Sequence, residues 1–189
     1  GHSNDVIKAA IHEALDGGMT MGAPTPFERE LAGLLCERFP SLEQVRFCNS
    51  GTEANLMALS TARVTTGRNT LLAFNDGYHG GVIKVLGGHW GLNMPYDIVL
   101  ADYNDIDGTS SLIDQVGSDL AGVIVEPILG AGGNIQGNRH FLKMLRQKTK
   151  ETGALLIFDE VKTARLGPAG VQGMVGIEPD LTTIGKFIG

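Results

Sequence analysis

Six short runs of apolar or β-branched residues, separated by helical patterns, constrain the fold of this chain more than anything else in its sequence. They are Val45-Arg-Phe-Cys48, Thr70-Leu-Leu-Ala-Phe74, Asp97-Ile-Val-Leu100, Gly122-Val-Ile-Val125, Leu155-Leu-Ile-Phe158 and Leu181-Thr-Thr-Ile184. Helical patterns lie between several of them, at about 52–66, 109–117 and 138–151. Strands buried on both faces read as continuous apolar runs, and strand–helix alternation favours parallel neighbours. The expected fold is therefore α/β, a mainly parallel sheet with helices on both faces. In such sheets ligands gather at the carboxyl ends of the strands.

Upstream of the strands, two helices are expected. Ser3 is in position to cap the first, whose apolar positions Val6, Ile7, Ala10, Ile11, Ala14 and Leu15 keep helical spacing up to Gly17-Gly18. Thr25-Pro26-Phe27-Glu28 has the N-cap, N1 proline and N3 glutamate of a capping box, opening a helix through about Arg38. This organisation divides the chain into an N-terminal helical segment, residues 1–24, and a larger domain, residues 25–189. The chain opens Gly1-His2-Ser3 without Met and stops three residues after Lys186, as expected of an excerpt from a longer protein.

A length of 189 residues, 42% of them hydrophobic, suffices for one buried core. A net charge of −6 offers no basic footprint, so nucleic acid and anionic membrane surfaces are not expected partners. The longest apolar runs are strand-length, far below the ~20 residues of a membrane span. Cys36 and Cys48, with no signal-peptide-like start, are expected to be reduced thiols in a cytoplasmic protein. The 27 glycines gather at turns, Gly17-Gly18, Gly80-Gly81, Gly87-Gly88 and Gly132-Gly133, without a repeat.

The chemically suggestive residues follow strands. Ser50-Gly51-Thr52-Glu53 joins an expected strand to a helix, where N–H groups, hydroxyls and the helix dipole suit a phosphate; taken alone it reads equally as an ordinary capped helix. No complete Gly-x-Gly-x-x-Gly follows a strand and no Walker sequence is present. In Gly77-Tyr78-His79-Gly80, Tyr78 offers a ring for stacking and His79 a proton carrier, although both also suit a surface turn. Glu126 and Asp159-Glu160 end apolar strands, where a carboxylate needs a cation or donors. Lys186 ends the last expected strand at a glycine-rich turn and supplies an amine for a Schiff base. The five histidines show no paired metal-ligand spacing, so no metal is expected.

As an ordered set, Phe47-Cys-Asn-Ser-Gly-Thr-Glu-Ala-Asn55, Gly77-Tyr-His-Gly80, Val125-Glu-Pro127, Phe158-Asp-Glu-Val161 and Pro179 to Gly189 resemble class III aminotransferases of fold type I, which depend on pyridoxal 5′-phosphate (PLP). The resemblance covers nearly the whole chain. It implies that residues 25–189 form most of a PLP-binding large domain, with Ser50, Gly51 and Thr52 at the phosphate and Tyr78 stacked on the ring. It further implies that Asp159 pairs with the pyridine nitrogen, Val161 packs behind the ring, Lys186 forms the Schiff base, and Glu126 and His79 belong to the polar surround. The implied activity moves an amino group from an amino-acid donor to a keto-acid acceptor, in a homodimer. Leu35 to Pro40, Asn55 to Leu59 and Tyr78 to Val82 are most similar to β-amino-acid transaminases of the β-phenylalanine type, with glutamate-1-semialdehyde 2,1-aminomutase as near neighbour. Lys162, Ala164 and Leu129 depart from the family pattern and leave substrate open. An aminomutase on the same scaffold and a non-catalytic fragment are the competing expectations.

Overall fold

A computed structural model of the chain describes residues 2–85 and 93–188. The expected Gly87-Gly88 turn and terminal Gly189 lie outside the described residues. Contacts divide the chain into two compact units, Gly1–Leu34 and Leu35–Gly189.

In the first unit, α1 (Asp5–Asp16) is capped by Asn4 rather than by the expected Ser3. The Asn4 side chain accepts from the N–H groups of Val6 and Ile7, whereas Ser3 sits at φ 59°, outside the extended backbone of a cap. The capping box forms as read: Thr25 N–H donates to Glu28 Oε2 at 3.1 Å, and Glu28 N–H to Thr25 Oγ1 at 3.4 Å. It opens α2 (Pro26–Arg38), inside which the unit boundary falls.

The second unit is a five-stranded parallel sheet in the order β2-β1-β3-β6-β7, from β1 (Thr70–Phe74), β2 (Ile98–Ala101), β3 (Leu120–Val125), β6 (Leu155–Asp159) and β7 (Leu181–Thr183). A small antiparallel pair, β4 (Ile128–Leu129) with β5 (Ile135–Gln136), stands apart from it. The order explains the continuous apolar runs, because alternate residues of one strand feed different cores. Leu72, Phe74, Val123, Val125, Leu156 and Phe158 pack with Ile113 of α4 (Ile106–Val116) and with Phe141, Leu142 and Leu145 of α5 (Arg139–Thr152). Leu71, Ala73, Ile124 and Ile157 pack with Ala58, Leu59 and Ala62 of α3 (Gly51–Thr66). Burying one such Leu, Ile or Phe is worth roughly 1.5–3 kcal/mol. Gly122 keeps the α3 face close, since a Cβ there would stand 3.1 Å from the Ala62 methyl.

The mainly parallel sheet with helices on both faces is as expected. One expected strand is not: residues 45–48 carry no ladder. Their alternation of apolar and polar residues suits a strand, but pairing requires a neighbour, and β7 at the sheet edge is bonded to β6 alone among the described residues. A short helix, α6 (Gly170–Val175), was not signalled by its Gly-rich sequence.

Candidate active site

In a parallel sheet all carboxyl ends emerge on one edge, and here the loops after β1, β3, β6 and β7 meet the start of α3 around a cavity of about 490 Å³. Gly51, Thr52, Tyr78, His79, Glu126, Asp159, Val161 and Lys186 all line it. Residues read as candidates from position 51 to position 186 thus share one wall system. Ser50 is the exception. Its hydroxyl caps α3, accepting from Glu53 N–H at 3.1 Å, while Glu53 Oε2 accepts from Asn49 N–H at 2.6 Å.

Asp159 lies at the tip of β6 and is buried. Its Oδ2 is 2.8 Å from both His79 Nδ1 and Asn55 Nδ2, and its Oδ1 accepts from Val161 N–H at 3.1 Å. A carboxylate has about four lone-pair sites, so three donors leave it one acceptor position on the cavity side. Asn55 is itself held, accepting from Thr183 Oγ1 at 2.8 Å and donating to the His79 carbonyl at 3.0 Å. His79 and Asn55 are both 1% exposed, so the cluster is a dry, pre-oriented wall.

The opposite end is built by close backbone approach. A Cβ on Gly51 would meet both Val161 methyl groups at 3.2 Å. Gly80, at φ +122°, would place a Cβ 2.8 Å from Thr52 Cα, so only glycine fits where the loop after β1 crosses the start of α3. Thr52 Oγ1 accepts from Gly81 N–H at 3.3 Å, fastening the two. The first turn of a sixteen-residue helix therefore opens onto the cavity with its dipole positive. Tyr78, 43% exposed, leaves its ring accessible. Lys186 follows β7 at φ 57°, a conformation that costs a non-glycine residue about 1 kcal/mol or more.

Glu126 follows β3 and is fixed by two backbone donors, Tyr78 N–H at 3.0 Å and Gly130 N–H at 2.9 Å. Burial raises its carboxyl above the ordinary range; His79 and the two N–H groups pull it back, and the charge of Asp159 adds to the rise. The Tyr103 hydroxyl, also raised chiefly by burial, donates to the Glu126 carbonyl at 2.7 Å.

Five lining residues escaped the sequence reading as site residues: Asn55, Gly80, Gly130, Ala131 and Lys162. Asn55 was legible in principle, because it lies four residues after Gly51 on one helix face, where a buried amide demands a partner. Among the described residues, no group of three or more His, Cys, Asp or Glu side chains is arranged to hold a metal ion, and no helix is long and apolar enough to cross a membrane. Cys36 and Cys48 are both free.

The arrangement fits PLP chemistry group by group: an amine, a buried carboxylate with a spare acceptor site, an accessible ring, and a glycine-lined helix start. Comparison with known proteins agrees. The family model described as aminotransferase class-III matches residues 1–189. β-Phenylalanine transaminase of Variovorax paradoxus is 47% identical over 189 residues, all of this chain and 44% of the relative. A solved β-phenylalanine aminotransferase structure from that organism superposes with a TM-score of 0.97 at 46% identity, over 100% of this chain and 44% of its own. Glutamate-1-semialdehyde 2,1-aminomutase 1 of Macrococcus caseolyticus is 44% identical over 204 residues, covering 100% of this chain and 48% of the relative. A transaminase solved with PLP bound has a TM-score of 0.91 at 32% identity, covering 100% of this chain and 47% of its own. The chain spans less than half the length of the curated relatives it matches.

Proposed function

This chain belongs to the class-III aminotransferase family, and from that premise we propose that it carries the PLP-binding core of an aminotransferase acting on amino acids, β-amino acids foremost. The observation that carries the reading is the buried Asp159, bonded by His79, Asn55 and Val161 yet one donor short of saturation, across a cavity that Lys186 also lines. An anion so held accepts a proton-bearing ring nitrogen. The domain assignment, residues 25–189 as PLP-binding domain behind an N-terminal helical segment of 1–24, belongs to the same proposal.

Gly51 and Thr52 would hold the phosphate at the start of α3, with Ser50 acting as the cap that fixes their geometry. Tyr78 would cover one ring face and Val161 the other. When bound, PLP supplies an electron sink for the carbon that bears the amine. Lys186 would hold the cofactor through its Nζ, and the same amine would be placed to move a proton at that carbon. Asp159 would keep the ring nitrogen protonated, an electrostatic role that needs the fixed orientation His79 and Asn55 impose. Glu126 and His79 complete the polar surround. The donor is an amino acid, the acceptor a keto acid, and the full-length protein a cytoplasmic homodimer.

The similarity to β-phenylalanine transaminase supports the β-amino-acid substrate. The comparable similarity to an aminomutase supports a second reading, isomerisation without a separate acceptor. One experiment separates these. The full-length protein, given PLP, is reduced with borohydride and peptide-mapped, then supplied with 3-amino-3-phenylpropanoate and 2-oxoglutarate or pyruvate. Label on Lys186 and acceptor-dependent amino transfer are expected. Label on another lysine overturns the site, and acceptor-free isomerisation of glutamate-1-semialdehyde selects the aminomutase.

A further inference from the structure

Lys186 keeps a left-handed backbone, φ 57°, and a strained residue persists only where its surroundings over-determine it. On its N-terminal side the constraint is packing. A Cβ on Gly185 would stand 3.3 Å from Val161 Cγ1, so the backbone there lies against the segment that follows Asp159. On its C-terminal side the constraint is Phe187. Two guanidiniums lie over that ring, Arg38 with its Cζ 5.7 Å from the centroid and Arg165 with its Cζ at 5.8 Å. Both are within the ~6 Å over which an aromatic face attracts a cation.

The two cations differ in how firmly they are held. Arg165 is exposed. Arg38, the last residue of α2, is half-buried and spends its donors on three carbonyls of the segment after β6. Its Nε donates to the Pro168 carbonyl at 2.6 Å, and its Nη2 to those of Ala164 at 2.7 Å and Gly167 at 2.9 Å. Its Cζ also lies 5.2 Å from the ring centroid of Phe39, which is fully buried. A planar guanidinium fixed at three carbonyls presents a preset surface for stacking. One side chain therefore bridges the segment that follows Asp159 and the residue that follows Lys186.

We propose that Arg38 is a positioning residue for Lys186, holding it in its left-handed conformation on the cavity wall by stacking on Phe187. The inference rests on the aminotransferase reading, in which Lys186 is the amine that bonds PLP. Arg38 is not among the residues that line the cavity, so it acts through Phe187 and not by touching the cofactor. The cost of a left-handed lysine and the gain from a stacked, half-buried guanidinium are of similar size, so loss of the stack frees Lys186 to leave its placement.

The test separates placement of the amine from the rest of the site by using two forms of the cofactor. The aldehyde of PLP condenses with a lysine amine, C=N replacing C=O as one water leaves, whereas pyridoxamine phosphate carries an amine at that carbon and cannot condense. Kd for each is measured on the full-length protein stripped of cofactor, as wild type, Lys186→Ala, Arg38→Met, Phe187→Leu and Phe187→Tyr. Wild type should bind PLP more tightly than pyridoxamine phosphate, and Lys186→Ala should remove that advantage. Arg38→Met and Phe187→Leu should each cut it by about three- to tenfold, the scale of one partly desolvated cation–π contact, with pyridoxamine phosphate affinity kept. Phe187→Tyr preserves the ring and should preserve the advantage. Phe187→Leu leaves the three carbonyl bonds of Arg38 in place, so its result decides the matter even where Arg38→Met fails to fold. An advantage unchanged in Phe187→Leu, or equal weakening of both ligands, overturns the proposal and leaves the aminotransferase reading standing. A wild type with no advantage, or one that Lys186→Ala does not remove, overturns the assignment of Lys186 and the proposal with it.

Discussion

Asp159 and Glu160 are consecutive buried carboxylates at the end of β6, and they open onto two different regions of the molecule. Asp159 faces the cavity with three donors on its two oxygens. Glu160 turns into the segment after the strand, where Thr163 Oγ1, Val171 N–H, Gln172 N–H and Gln172 Nε2 all donate to it at 2.8–3.2 Å. Four donors saturate about four lone-pair sites. Neither carboxylate meets a Lys or Arg ion-pair partner among the described residues. The difference lies in saturation and access: Glu160 is spent on holding its own loop and α6, while Asp159 retains capacity toward whatever fills the cavity.

That contrast predicts opposite phenotypes. The largest effect is expected from Asp159→Asn in the full-length protein. The amide removes the anion proposed to hold a ring nitrogen protonated, so kcat/KM for amino transfer should fall about 100-fold or more, while folding and cofactor content persist. Near-normal turnover would end the assigned role. Next comes Glu160→Ala, which strands two backbone donors, a hydroxyl and an amide in a dry site. A loss of about 2–4 kcal/mol in denaturant unfolding is expected, with activity per folded molecule largely kept. If Glu160→Ala instead spared stability and abolished turnover, the division between the two regions would be wrong.

The same pair marks what the sequence could and could not reveal. Carboxylates at apolar strand tips announce that partners must exist, and the sheet geometry follows from apolar runs whose alternate residues serve two cores. The partners themselves come from loops far away: His79 is 80 residues and Asn55 104 residues from Asp159. Local pattern carries no record of such distant pairings. The expected strand at 45–48 failed for a related reason, since a ladder depends on what lies alongside it. Short α6 escaped because Gly-Val-Gln-Gly has poor intrinsic helicity. Its start is fixed by bonds to Glu160 that only the folded chain supplies. Thr25 and Glu28, whose capping interactions lie within one turn, were fully legible.

Glu126 sharpens the comparison, because it faces the cavity like Asp159 yet is bound by backbone donors as Glu160 is. Burial raises its folded pKa above the ordinary 4.5. Between 4.5 and the higher folded value, the folded state holds more of this proton than the unfolded state. The linkage slope is then negative, so the Glu126 contribution to stability falls as pH rises through that window and is least favourable above it. Glu126→Gln cannot ionise and removes the slope. It also turns an NH₂ toward one of the two N–H donors, a penalty that does not vary with pH. Unfolding free energies measured from about pH 4 to neutrality should therefore show the variant gaining on wild type as pH rises, on top of a constant offset. This is the smallest effect of the three. A difference that stays flat with pH, or that moves in wild type's favour, would mean that the backbone donors outweigh burial and that Glu126 behaves as a second Glu160.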